Sequence, residues 1–389
     1  MNIRKILLLS LIVLPAPLAA QMRDGSYQSL KTGRENTVET ITVNVVPLGN
    51  GVMHFHEGDP RKPLTGTYRI TVNRREYYTG NLKKGIADGD WERYYDGRLY
   101  EKSFYRNGLP EGKSIRFRNG GEEEYAYTYQ NGVRQHFISY HPGGAVEEER
   151  FYDENGRLHG EMFTLDATGN VVAEKRYRHG ERQGIQVETD REGYRTSQEY
   201  VADKRQGEYS RSYPNGNSCE QGVYDANGEK TGKWTAWNED GSLKSEEHYL
   251  RNEPDGEKRT YYAGGKLKSS EQYTAGQLHG QRIEYDEDPH RISREVTYSE
   301  GRLHGAFKVY HDGILWREGA YQDDELIYEK EYAAGKLQIV KLLDENGTLT
   351  DVEKYDDTGR RTYQNTNYRR HSTVNLRESA SGVIDVEIK

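Results

Sequence analysis

Tyr105, Tyr129, Tyr152, Tyr177, Tyr200, Tyr224, Tyr249, Tyr273, Tyr298 and Tyr321 follow one another at intervals of 23 to 25 residues. A fixed period of that size means that one small supersecondary unit is copied in line, each copy leaning on its neighbours because it cannot bury enough surface alone. Glycines at positions 66, 89, 112, 160, 184, 207, 232, 256, 280 and 305 keep the same period, with His136 where one glycine is missing. About eleven copies therefore fit between Gly66 and residue 327.

Within a copy another glycine usually follows eight or nine residues on, as from Gly232 to Gly241 and from Gly256 to Gly265, dividing the unit into two short arms. Arms of five to eight residues between glycine turns are strands. Eight Asn-Gly pairs, among them Asn107-Gly108, Asn131-Gly132 and Asn227-Gly228, supply the positive φ that tight hairpins require, and glycine this frequent excludes helix. The expected fold is all-β: an elongated, single-layer antiparallel meander of about eleven β-hairpin repeats. Equivalent rings in successive copies then lie two strand spacings, about 10 Å, apart, too far to stack directly. First-arm rings must fill the gaps.

Residues 21–65 differ in texture, with the β-branched run Thr37 to Val46, and are read as an N-terminal β cap. The array spans 66–327. In 328–389 the spacing shortens to 12 at Gly335, Gly347 and Gly359, which predicts simple hairpins and a closing strand over Gly382 to Ile388. End repeats need atypical sequence because open sheet edges are adhesive.

Only 33% of the chain is hydrophobic, while tyrosine supplies 32 residues. Contact area must come largely from amphipathic rings, which suits a thin structure wetted on both sides. Residues 1–20 stand apart: Arg4 and Lys5 precede the apolar run Ile6 to Leu14, and Ala19 and Ala20 follow. This pattern reads as a signal peptide, its apolar run too short to span a bilayer, so an exported periplasmic, surface or secreted protein with no transmembrane segment is expected. Without residues 1–20 the chain carries 53 basic and 63 acidic side chains, a net charge of −10, which disfavours nucleic acid as a partner.

The motif Tyr273-Thr274-Ala275-Gly276-Gln277-Leu278-His279-Gly280, with near copies at Tyr298 to Gly305 and Tyr177 to Gly184, resembles the MORN-variant repeat of YwqK-type antitoxin-like bacterial proteins. The resemblance implies hairpin repeats in an extended sheet, no catalytic machinery and binding to another protein. A second likeness, to the tyrosine-aspartate repeat of shell-forming toxins, rests on Tyr152 to Leu158 and Tyr355 to Arg360. The MORN variant is preferred because the paired glycines before each first arm recur while the aspartate after tyrosine does not.

His159, His279 and His304 share the same place in Leu-His-Gly, but copies about 10 Å apart cannot share a metal that holds nitrogen at about 2 Å. They are read as turn residues. His54, His56, Glu57 and Asp59 form a denser group without a third ligand at a known spacing, and the Asp-x-Asn-Gly stretches at Asp153, Asp225 and Asp344 lack the distal glutamate of a calcium loop. Cys219, the single cysteine, is read as a packed apolar residue. No nucleophile elbow, phosphate loop or zinc-protease helix occurs, so no catalytic residue, metal or cofactor is expected.

The expected function is an exported non-catalytic scaffold that binds another protein through an aromatic-rich sheet surface. The ten column tyrosines and the first-arm rings Trp91, Phe117, Trp234, Trp237, Tyr285 and Tyr310 are the candidate contacts, since rigid rings lose little entropy on binding. A cell-wall or glycan binder and an antitoxin-like or immunity-like protein are the alternatives.

Overall fold

The computed structural model describes residues 25–32, 38–49, 51–59, 61–366, 374–378 and 384–388; the expected signal peptide at 1–20 lies outside them. Among these residues there is no helix, and paired strands are antiparallel. The chain divides into two units, 1–188 and 189–389.

The first unit opens with the one departure from a plain meander. Strand Gly25–Thr32 lies between Val38–Gly49 on one side and Gly66–Thr71 on the other. Strand Val52–Glu57 pairs with Val38–Gly49, and the Phe55 amide also donates to the Gly85 carbonyl at 2.7 Å. The Phe55 ring meets Trp91 at 5.9 Å between centroids. This fold-back encloses Val43, Val45, Met53, Phe55, Leu64, Ile70, Tyr78, Leu82, Trp91 and Tyr105 in one hydrophobic core. The alternation Val43–Asn44–Val45 aims both valines inward, as strand periodicity requires. From Gly66–Thr71 onward hairpins follow in chain order, and a smaller core of Tyr127, Tyr129 and Phe137 forms further along.

In the second unit the meander runs from Arg195–Val201 to Arg361–Thr366. The hairpins expected around Gly335, Gly347 and Gly359 are present as Glu325–Ala333, Lys336–Leu343, Leu349–Tyr355 and Arg361–Thr366. Ile384–Ile388 pairs with Val374–Glu378 in a separate two-stranded sheet; Gly382 and Val383 lie outside the described residues.

Two kinds of turn alternate. At Asn107–Gly108 and Asn131–Gly132 both residues have positive φ, the signature of a two-residue hairpin turn whose twist matches that of the strands. At Asp153–Arg157, Asp225–Glu229 and Asp344–Thr348 only the glycine is left-handed, and the aspartate Oδ1 accepts amides two and four residues on. The Asp-x-Asn-Gly stretches are thus side-chain-capped turns, as expected from sequence.

First-arm rings fill the gaps between column tyrosines. Trp234 lies 5.1 Å from Tyr224, 6.3 Å from Tyr249 and 5.4 Å from Tyr209. It covers Gly222, where a Cβ would meet the indole at 2.1 Å. Trp91 covers Gly80 and Phe307 covers Gly319 in the same way. A glycine under an aromatic ring gives up side-chain packing at its own position so that a larger neighbour lies flat on the backbone. Gly222→Val should therefore destabilise the second unit by about 1–3 kcal/mol through overpacking, and Trp234→Ala by about 3–5 kcal/mol through lost burial. Urea unfolding followed by tryptophan fluorescence and circular dichroism measures both; an unchanged midpoint for Gly222→Val would remove the close-packing account.

Candidate functional site

Most repeats tie their end back to their start; those ending at Tyr152 and Tyr224 close instead with the Asp153 and Asp225 turns. The turn glycine three residues after a column tyrosine donates its amide to the carbonyl two residues before the repeat's first glycine: Gly108 to Ala87 at 2.8 Å, Gly132 to Pro110 at 2.9 Å, Gly180 to Leu158 and Gly276 to Pro254 at 2.8 Å. The preceding turn residue donates to the side chain one position before that first glycine. Asn131 thus reaches Glu111 at 2.7 Å and Ala275 reaches Asp255 at 3.1 Å. His159 Nδ1 takes the same bond from His179, and His279 Nδ1 takes it from Glu300, both at 3.4 Å. The histidine of Leu-His-Gly thus serves as a turn acceptor, equivalent to the carboxylate of other copies. His304 holds the place differently, 3.5 Å from the carboxylate of Asp323.

The structure separates the candidate contact rings into two groups. Trp91, Tyr105, Tyr129, Tyr224 and Trp234 are buried within the sheet's own packing and offer no surface. Phe117, Tyr152, Tyr177, Tyr200, Trp237, Tyr249, Tyr273, Tyr285, Tyr298, Tyr310 and Tyr321 are half-buried. In the second unit the hydroxyls are anchored: Tyr273 donates to Glu271 at 2.8 Å, Tyr261 to Glu246 at 2.9 Å, Tyr332 to Glu318 at 2.7 Å, and Tyr249 to Glu247. The same carboxylates meet cations across the strands, Glu247 with Lys258 at 2.7 Å and Glu271 with Arg282 at 3.4 Å.

Trp316, 47% exposed in a second arm, is a surface ring that the first-arm pattern does not single out. Its rarity as one of four tryptophans was the available signal. Cys219 is half-buried and free. His54 and His56 share a strand face with rings 5.9 Å apart, but Asp59 is taken by Arg61 at 2.8 Å. Burial, then the neighbouring His56, holds His54 below the usual imidazole range.

A different histidine pair does converge. His159 and His179 have ring centroids 4.9 Å apart, and His179 Nδ1 lies 2.9 Å from Asp153 Oδ2. One ligand atom from each of the three side chains falls within 4.8 Å of the others. The hydrogen bond from His179, followed by the Arg157 amide and guanidinium, holds the Asp153 carboxyl well below the usual carboxylate range. An open cavity of about 380 Å³ adjoins, lined by His159, Gly160, Glu161, Arg176, Tyr177 and Gln183 among others.

A MORN repeat variant is present at residues 230–250 and 254–275. Those segments contain Trp234 and the Tyr249–Glu247 and Tyr273–Glu271 pairs. No curated protein matches the chain. Among solved structures, TarM is similar to 31% of this chain at 11% identity with a TM-score of 0.12, and the chain spans 19% of that protein. A porin-like protein from Bacteroides uniformis ATCC 8492 is similar to 75% of this chain and 90% of its own, at 8% identity with a TM-score of 0.14. No helix of the described residues is long and apolar enough to cross a membrane.

Two outcomes follow from the hydrogen bonding. His279→Asp replaces the imidazole acceptor with the carboxylate other copies use and should leave stability unchanged, whereas His279→Leu removes the acceptor and should cost about 0.5 kcal/mol; thermal unfolding of both variants distinguishes them. Burial pushes the phenols of Tyr127 and Tyr328 up to about 12, and burial followed by the Glu271 hydrogen bond does the same for Tyr273. A free phenol ionises near 10, so the folded state disfavours the phenolate. The stability these groups contribute is complete below about pH 10 and is lost as pH rises towards about 12. Phenolate absorbance should show a late-titrating class whose ionisation coincides with loss of the β circular dichroism signal.

Proposed function

We propose that this chain is an exported, non-catalytic repeat scaffold that binds another protein through the tyrosine-bearing face of its sheet. The observation that carries the reading is the row of half-buried rings in the second unit whose hydroxyls are fixed on neighbouring carboxylates, Tyr249 on Glu247 and Tyr273 on Glu271. A ring held at both ends of its side chain has already lost the freedom that binding would remove, so contact with a partner costs little entropy. The carboxylates of this face are engaged with phenol, ammonium and guanidinium groups, which favours a structural over an acid–base role. The likeness of Tyr273 to Gly280 to antitoxin-like repeats supports a protein ligand over a glycan, and the basic and apolar start of the sequence supports export.

The test is capture from cell-envelope extract with the chain immobilised. A saturable protein partner should be recovered, and the double variant Tyr273→Ala/Tyr298→Ala should reduce capture by about tenfold or more, as loss of aromatic anchors does elsewhere. Equal capture by both proteins would place binding away from the column. Co-sedimentation with purified peptidoglycan without any protein partner would replace this reading with a glycan-binding one.

A further inference from the structure

The geometry points to a site for a divalent transition-metal cation, with Zn²⁺ as the ion that fits, formed by Asp153, His159 and His179. Two imidazoles and one carboxylate are a donor set that borderline cations of this class favour. The three groups come from different parts of one repeat and its preceding turn: Asp153 caps the turn before Leu158–Leu165, His159 lies in that strand, and His179 follows the column residue Tyr177. Their ligand atoms already lie within 4.8 Å of one another, with the Asp153–His179 pair at 2.9 Å. Ligands held at about 2.0–2.2 Å from a common zinc stand about 3–4 Å apart. Both imidazoles are exposed, so side-chain rotation is the movement the site asks of them.

Two features decide whether the site can be loaded. Asp153 Oδ1 is held by the amides of Asn155 and Arg157, at 3.0 and 2.9 Å, so the carboxylate keeps its orientation while Oδ2 changes partner. The competing cation on Oδ2 is the Arg157 guanidinium at 2.9 Å; the arginine side chain is half-exposed while that of Asp153 is only 7% exposed, so loading the site requires the guanidinium to swing out into solvent and the metal to take over the charge of a largely buried carboxylate. Three protein ligands leave a fourth position for water or an outside donor, and the cavity beside His159 provides room for one. Among the described repeats, that of Gly160 alone has imidazoles at both ends of the turn hydrogen bond; His279 faces Glu300 and His304 faces Asp323.

The test titrates the full, metal-free chain with Zn²⁺ by calorimetry and with Co²⁺ by visible absorption. One Zn²⁺ should bind per chain with a rise in Tm, and Co²⁺ should give the intense bands of a low-coordinate site. Asp153→Asn, which retains the Oδ1 acceptor, and His179→Gln should each weaken Zn²⁺ binding by at least about tenfold without changing the circular dichroism spectrum. The chain has 12 histidines, so His279→Gln serves as the control and should bind as the unaltered chain does. Absence of Zn²⁺ binding, or equal binding by the unaltered chain and both site variants, overturns the assignment.

Discussion

The hydrogen bonds that join the end of most repeats to their start are the constraint on which the array depends. They require two successive left-handed residues after the column tyrosine, met as Asn107–Gly108, Asn131–Gly132, His179–Gly180 and Ala275–Gly276. Where glycine is absent from the second place the chain uses Asp203, Asn252 and Asp324, short polar residues that tolerate this conformation better than others do. The tyrosine period and the recurrence of these turn pairs therefore express one geometric requirement, because the tyrosine lies near the end of its strand and the turn pair is where the chain reverses.

Once the turn is fixed, lateral packing is inexpensive to specify. In the second unit no thick aliphatic core is needed: Trp234 over Gly222 and Phe307 over Gly319 supply local clusters, and cross-strand pairs such as Lys258–Glu247 link them. Each exposed pair contributes little by itself, and the stability is distributed along the array, as nearest-neighbour coupling in repeat proteins implies. The first unit differs because Val52–Glu57 folds back, giving Val43, Val45 and Phe55 full burial. That end protects its core with a second layer of chain, a common solution for a sheet edge.

Strand, hairpin and repeat boundaries were legible because glycine spacing and Asn-Gly pairs act locally on backbone angles. The departure from the meander was not, since nothing within Gly25–Thr32 or Gly66–Thr71 marks the two as partners; that pairing and the contact from Phe55 to Gly85 are long-range. The candidate rings were legible as a set but not in their exposure. Trp91 lies directly across the strand pair from Gly80, and Trp234 covers Gly222 where the register of its strand pair shifts; both placements are tertiary facts. The Leu-His-Gly histidines were read as turn residues from strand spacing; His159 and His304 lie in strands, and His159 and His279 serve the neighbouring turn as acceptors. Strand spacing between like positions leaves out His179, which occupies a different position of the repeat from His159.

That omission shows how a repetitive scaffold acquires a local chemistry. The two ends of the turn hydrogen bond are adjacent in space in each copy that makes it, so the residue types there vary as a pair: Glu111 with Asn131, Asp255 with Ala275, His279 with Glu300, His304 with Asp323. Most combinations leave only a capped turn. When both places hold imidazole and the preceding turn contributes a carboxylate already oriented by backbone amides, as at His159, His179 and Asp153, three strong donors converge without any change of backbone. A site of this kind costs the fold almost nothing, because each member retains a structural hydrogen bond that other copies satisfy with a different side chain. The repeat that differs chemically from its neighbours at structurally equivalent positions is therefore where a specific ligand is to be sought in such an array.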